Sequence, residues 1–261
     1  MNITGNTILI TGGGSGIGRA LAESFHSLGN KVIIAGRRQS VLDETTAANP
    51  GMSSIALNIE DPADIRAVAA KLAAAHPTLN AVIHNAGIMR PENLLAEGAD
   101  QDKALADAEA TIATNLLGPM RLTAALLPQL IKQPHATIFT ESSGLGFIPM
   151  ALTPTYNATK AAIHSWTQSL RYQLRETNIQ VIEIVPPYVQ TELMGSAQAA
   201  DPRAMPLKDF IAETINLIKT QPKATEILTE RVKPLRYAAD NGPEKYEAFF
   251  QTFNNAMNHP H

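Results

Sequence analysis

What constrains this chain most is a rhythm. Short apolar runs at residues 7–11, 31–35, 53–58, 81–84, 137–141, 180–185 and 225–228 alternate with longer stretches of helical periodicity at 17–28, 40–48, 62–75, 102–130, 156–177 and 207–220. Strands separated by helices cannot pair as tight hairpins. Each helix carries the chain back to the end where the last strand began, so the sheet becomes parallel with helices on both faces. The runs also lack strict apolar–polar alternation, as strands covered on both sides should. The expected fold class is therefore α/β: a doubly wound, mostly seven-stranded parallel sheet. With no internal repeat and no low-complexity linker, residues 1–261 are expected to form one domain.

Two connections interrupt the rhythm, at residues 88–101 and 186–206, the second containing four prolines. In doubly wound sheets ligands bind beyond the carboxyl ends of the strands. Both connections follow a strand, so both can overlie such a site. The segment 186–220, loop and following helix together, is expected to cover a substrate.

Composition removes several alternatives. With no cysteine, the chain has no disulfide, no cysteine-held metal and no thiol nucleophile. Lys and Arg total 21 and Asp and Glu 24, a net charge of −3 that argues against a nucleic-acid partner. The start lacks a basic, apolar leader, and no apolar run approaches the ~20 residues of a membrane span. A cytoplasmic protein without a membrane partner is the expectation. The seven histidines form no ligand-spaced cluster, so no metal site is expected. His84 is read as a satisfied core residue, and His259 and His261 as part of a terminal tail.

The sharpest local signal follows the first run. Thr11-Gly12-Gly13-Gly14-Ser15-Gly16-Ile17-Gly18 leads directly into a helix. Glycines let a backbone turn tightly and approach a phosphate, and a helix start offers unpaired N–H groups and the positive end of its dipole. The lysine of a nucleoside triphosphate loop is missing. The spacing of Gly12, Gly16 and Gly18, Gly-x-x-x-Gly-x-Gly, resembles the cofactor motif of the short-chain dehydrogenase/reductase family.

Further segments resemble that family in order. Asn85-Ala86-Gly87 follows the fourth strand, and Asn115 lies within the long helical stretch. Ser143 stands thirteen residues before Tyr156, which opens Tyr156-x-x-x-Lys160, and Pro186-Pro187-Tyr188-Val189-Gln190-Thr191 follows the sixth strand. The resemblance extends to about residue 192. A weaker one points to a branch associated with D-alanine esterification of teichoic acids.

The resemblance implies a single-domain Rossmann fold and an oxidoreductase acting on a carbonyl or alcohol substrate, a carbonyl reductase or alcohol dehydrogenase. It makes Asn115, Ser143, Tyr156 and Lys160 the catalytic set. Gly12, Ser15, Gly16, Ile17, Gly18, Asn85, Ala86, Gly87, Pro186, Val189 and Thr191 would hold the dinucleotide, with Lys160 binding the nicotinamide ribose and Asn115 a water. Pro187 stands where the family usually has glycine. Ser142 competes with Ser143, and only the spacing prefers Ser143. Tyr156 and Lys160, four apart on a helix, share one face. An ammonium beside a phenol lowers its pKa from ~10, which would suit Tyr156 to proton transfer.

The nucleotide is read after the second strand. NAD sites place an acid there for the ribose 2′-hydroxyl. Here the strand ends in Gly36-Arg37-Arg38, and guanidinium groups suit a 2′-phosphate. NADP(H) is expected over NAD(H), with Arg37 the principal contact and Arg38 the secondary one. Asn58 and Ile59 would lie near the adenine. Met150, Leu152, Thr153, Tyr188, Leu193 and Met194 suggest a partly apolar substrate pocket. By the same resemblance a homodimer or homotetramer would form through the helices at 102–130 and 156–177. Two other functions use the same fold: an NADP(H)-sensing regulatory module, and an NAD-retaining epimerase or dehydratase.

Overall fold

The computed structural model describes residues 2–95 and 97–257, so His259 and His261 lie outside the described residues. A seven-stranded sheet, all parallel, runs in the order β3-β2-β1-β4-β5-β6-β7. Its strands are β1 (Thr7–Thr11), β2 (Lys31–Gly36), β3 (Ser53–Ala56), β4 (Leu79–His84), β5 (Ala136–Glu141), β6 (Ile179–Val185) and β7 (Glu226–Leu228). The helices are α1 (Gly16–Ser27), α2 (Gln39–Ala48), α3 (Pro62–Ala75), α4 (Ala99–Ile112), α5 (Gly118–Leu130), α6 (Pro154–Gln173), α7 (Ser196–Ala200), α8 (Leu207–Thr220), α9 (Lys233–Arg236) and α10 (Pro243–Met257). The chain winds outward from β1 to β3 and returns to β4 on β1's other side. The crevice between β1 and β4 is thus the switch point at which such sheets bind ligands.

The strands are buried on both faces, which is why they show no alternation. Ile8 and Ile10 pack with Leu21 and Phe25 of α1 and Phe210 and Ile218 of α8. Leu9, between them, faces the opposite layer with Ile65 of α3, Leu126 of α5 and Leu170 of α6. His84 is buried as expected, its Nε2 lying 2.8 Å from Thr123 Oγ1.

The stretch 102–130 is helical throughout but not uniformly α-helical. A π-helical turn, Ala113–Leu117, separates α4 from α5. Gly118 and Pro119 account for the break in part. A Cβ on Gly118 would lie 2.6 Å from Ile59 Cγ1, and Pro119 lacks an N–H. Such turns recur at functional sites, and this one carries Asn115. The helices beyond β7 were not foreseen. Among the described residues no helix is long and apolar enough to cross a membrane.

Candidate active site

Two cavities open at the carboxyl end of the sheet. The first, about 280 Å³, lies between the glycine loop and the end of β2. Gly12 adopts φ +68° and Gly16 φ +52°, conformations that favour glycine. A Cβ on Gly18 would stand 2.3 Å from Asn85 Nδ2 and 2.4 Å from Gly12 O, so the first turn of α1 seats only because that residue lacks a side chain. Asn85 locks the loop: its Nδ2 donates to Thr11 O at 2.9 Å, while Asn85 N and Ala86 N both donate to Thr11 Oγ1. Ser15 precedes α1 without capping it through its side chain, and the first helical hydrogen bond runs from Arg19 N to Ser15 O. The N–H groups of Gly16, Ile17 and Gly18 therefore lack helical partners. The cradle and its free donors fit a pyrophosphate.

Gly12, Ser15, Ala86, Gly87 and Ile59 line this cavity together with Arg37 and Arg38. Asn58 does not line it. Asn58 is exposed and its Oδ1 accepts from Glu60 N, while the neighbouring Leu57 takes a place in the wall. The two arginines differ. Arg37 Nη1 donates to Glu60 Oε1 at 2.9 Å, an oxygen that also accepts from Thr114 Oγ1. Arg38 makes no ion pair among the described residues, and its guanidinium is the less engaged of the two.

The second cavity, about 420 Å³, brings together Ser143, Tyr156, Ile17, Pro186, Val189 and Thr191. Ser143 leaves β5 in extended conformation. Its hydroxyl accepts from Leu145 N at 3.2 Å, and Ser143 shares the cavity wall with Tyr156. The Ser142 hydroxyl is buried without a partner, and Ser142 does not line the cavity. Lys160 Nζ lies 5.5 Å from the centre of the Tyr156 ring and donates to Glu141 O at 2.8 Å. Asn115, buried on the π-helical turn, is fully engaged. Its Oδ1 accepts from Ile88 N at 2.9 Å, and its Nδ2 donates to Ile88 O and Thr159 Oγ1. It ties the chain after β4 to α6.

The electrostatics differ from the simple pairing of tyrosine and lysine. Burial pushes the Tyr156 hydroxyl well above the usual tyrosine range, and the charge of Glu141 pushes it further; the hydrogen bond from Ser143 opposes both. Tyr156 therefore holds its proton. Burial lowers the Lys160 pKa, opposed by the charges of Glu141 and Glu183. Glu141 was not foreseen. Its carboxyl lines the cavity, burial pushes it up to about 7, and Lys160 pulls it down. A carboxylate ending an apolar strand two residues before Ser143 was the available signal.

The cavity walls come from far along the chain. Loop 186–206 is tied to itself: Val189 bridges Met205, Met205 N donates to Tyr188 O, and the buried Gln198 donates to Val189 O and Thr191 Oγ1. The expectation that the helix at 207–220 covers the substrate is not met. No residue of α8 lines the cavity, because its apolar face packs into the core beside α1. The missed wall is α10, whose Phe253 and Met257 face the cavity. Its Asn254 accepts from Ala151 N at 2.6 Å and donates to Pro149 O. The spacing of Tyr246, Phe249, Phe250, Phe253 and Met257 is helical and could have revealed it.

Comparison with known proteins agrees with this architecture. The chain is 36% identical to the uncharacterized oxidoreductase DltE of Bacillus subtilis (strain 168), over 99% of this chain and 100% of that protein. A short-chain dehydrogenase from Burkholderia cenocepacia J2315, solved in complex with NADP, superposes with a TM-score of 0.78 at 20% identity, covering 100% of both chains. A short-chain dehydrogenase/reductase from Burkholderia phymatum, solved in complex with NAD, superposes with a TM-score of 0.77 at 21% identity, covering 92% of this chain and 95% of that one. Residues 6–202 match the short chain dehydrogenase family, and with a full-length relative at 36% identity the chain belongs to that family of oxidoreductases.

Proposed function

We propose that the protein is an NADP(H)-dependent carbonyl reductase or alcohol dehydrogenase for a largely apolar substrate. The observation that carries this reading is the joint placement of Ser143 and Tyr156 in one cavity walled by Met89, Met150, Met194, Phe253 and Met257. A bound nicotinamide supplies or accepts the hydride. Ser143 directs the substrate oxygen by hydrogen bonding. Tyr156 holds the proton that this oxygen takes in reduction and receives it back in oxidation. Lys160 is fixed beside Tyr156 by the Glu141 carbonyl; burial disfavours its charge, and the charges of Glu141 and Glu183 favour it. Asn115 acts here by holding Ile88 and Thr159, not by facing the substrate.

The choice of NADP(H) over NAD(H) rests on Arg38 and Arg37 and on the absence of an acid at Gly36, all three lining the first cavity. Cations in that wall suit the two extra negative charges of a 2′-phosphate. The solved relatives include both an NADP and an NAD complex, so it is this chain's own residues that favour the phosphorylated form. A second copy would cover Leu105 and Ile112 of α4 and Tyr172 of α6, all exposed, giving the expected homodimer or homotetramer.

The test is a panel of medium-chain ketones, aldehydes and alcohols followed by NADPH absorbance, with NADH in parallel. Turnover favouring NADPH by at least tenfold in kcat/KM is expected. No turnover across the panel by protein that binds NADPH would overturn the reading.

A further inference from the structure

Glu141 has no place in the catalytic set carried over from the family, yet it stands in the wall of the same cavity as Ser143 and Tyr156. Alternation along β5 sets its direction. Thr140 turns toward α6, where its hydroxyl meets Thr167 at 2.8 Å, while Phe139 faces the layer of α1 and α8. Glu141, two residues from Phe139, projects to that same side at the carboxyl rim of the sheet. Ile17, the start of α1, and Pro186 share the cavity there.

The carboxylate has no salt-bridge partner among the described residues, and Lys160 acts on it only through its charge. Its Oε2 is sealed from solvent without a hydrogen bond. Lys160 does not form an ion pair with it, because the ammonium is aimed at the Glu141 main-chain carbonyl at 2.8 Å. Among the described residues no arginine or histidine pairs with it either. A buried carboxylate without a donor is costly, and such groups are retained where a ligand completes them. The cations that line the cavity, Arg203 and Arg231, do not pair with it, so what is unfilled is a directly paired positive charge on the side of Ile17 and Pro186.

We propose that Glu141 supplies this counter-charge to the nicotinamide ring in its oxidised, cationic form, so that the site binds NADP⁺ more tightly relative to NADPH than it would without the carboxylate. This rests on the reading of the cavity as the nicotinamide site. The two dinucleotide forms differ at the ring by one positive charge and are otherwise alike, so a carboxylate in a poorly hydrated wall discriminates between them by charge. The same carboxylate helps Tyr156 keep its proton. The first effect favours the direction in which a carbonyl takes up hydride, while the second makes Tyr156 a weaker acid.

The experiment is calorimetric titration of the full chain with NADP⁺ and with NADPH, without substrate, at pH 8.5, where the carboxyl that burial pushes up to about 7 is ionised. Wild type is compared with Glu141→Gln, which keeps the shape, and Glu141→Leu, which removes every polar atom. The expected result is a fall of about tenfold or more in the preference for NADP⁺ in both variants, about 1.4 kcal/mol. It should arise from weaker NADP⁺ binding while the NADPH constant holds within threefold. Glu141→Asp, which retains the charge, should restore most of the preference. An unchanged ratio in Glu141→Gln overturns the proposal. So does an equal loss of both forms, which would mean that the side chain only shapes the wall. Failure of wild type to bind either form would overturn the dinucleotide reading, and this inference with it.

Discussion

The Lys160 ammonium donates to the main-chain carbonyl of Glu141 at 2.8 Å and lies 5.5 Å from the centre of the Tyr156 ring. The hydroxyl of Tyr156 is influenced by burial and by Glu141, which raise its pKa, and by Ser143, which lowers it. Tyr156→Phe is expected to lower kcat by ~10²–10⁴ while NADPH binds within threefold of wild type. Lys160→Met should also lower kcat, and it should push the carboxyl of Glu141 further up by leaving it without a cation. Stopped-flow reduction and a pH–rate profile check both.

The two arginines after β2 should separate in a cofactor assay. Arg38→Ala removes the less engaged guanidinium, and loss of a charged hydrogen bond of ~1.5–3 kcal/mol predicts a rise in KM for NADPH of roughly ten- to a hundredfold, with NADH little changed. Arg37→Ala should do less to NADPH, since that guanidinium is shared with Glu60. Equal effects of either variant on NADPH and NADH would show that neither reads a 2′-phosphate.

Stability should depend on pH in two opposed ways. Burial lowers the His84 pKa from 6.5 to about 3, so the unfolded chain binds the extra proton first. Its contribution is full above pH 6.5 and is lost as pH falls from 6.5 toward 3. Glu141 runs the other way. Its folded pKa is raised from 4.5 to about 7, so its contribution is full below pH 4.5 and is lost as pH rises to 7. Urea denaturation from pH 4 to 8 should show His84→Gln flattening the acid side. Glu141→Gln should be more stable than wild type at pH 8, by ~1–2 kcal/mol.

The clamp between α10 and the loop before α6 should be measurable through Asn254. Asn254→Ala leaves Ala151 N and Pro149 O without their partners and should cost about 1–2 kcal/mol. Because α10 also walls the cavity, KM for the substrate should rise several-fold with kcat nearly unchanged. Thermal melts and steady-state kinetics on the same preparation test the coupling. A stability loss with KM unaltered would place α10 outside substrate binding.

Much of this protein was legible because its signals are local. The strands announce themselves as apolar runs buried on both faces. The glycine loop does so through backbone requirements that hold wherever the chain goes: Gly18 must lack a Cβ so that Asn85 and Gly12 can close on it. Spacing alone prefers Ser143 over Ser142, and in the folded chain Ser143 lines the cavity while the Ser142 hydroxyl is buried without a partner. The break of 102–130 at a π-helical turn was hidden because Asn115 and Gly118 find their reasons in Ile88, Thr159 and Ile59, which are distant in sequence. The pairing of Arg37 with Glu60 was likewise hidden, because the two are distant in sequence.

By itself, then, the sequence determined the sheet class and the tight glycine turn after the first strand, since periodicity and φ are properties of short segments. Only the tertiary structure decided how the groups of the second cavity are charged. From sequence, Lys160 should ease the proton from Tyr156. In the folded chain, burial dominates and Glu141 comes next, so Tyr156 retains its proton. Desolvation and charge–charge energies depend on which atoms surround a group and how far water is excluded. A linear spacing of four residues carries neither.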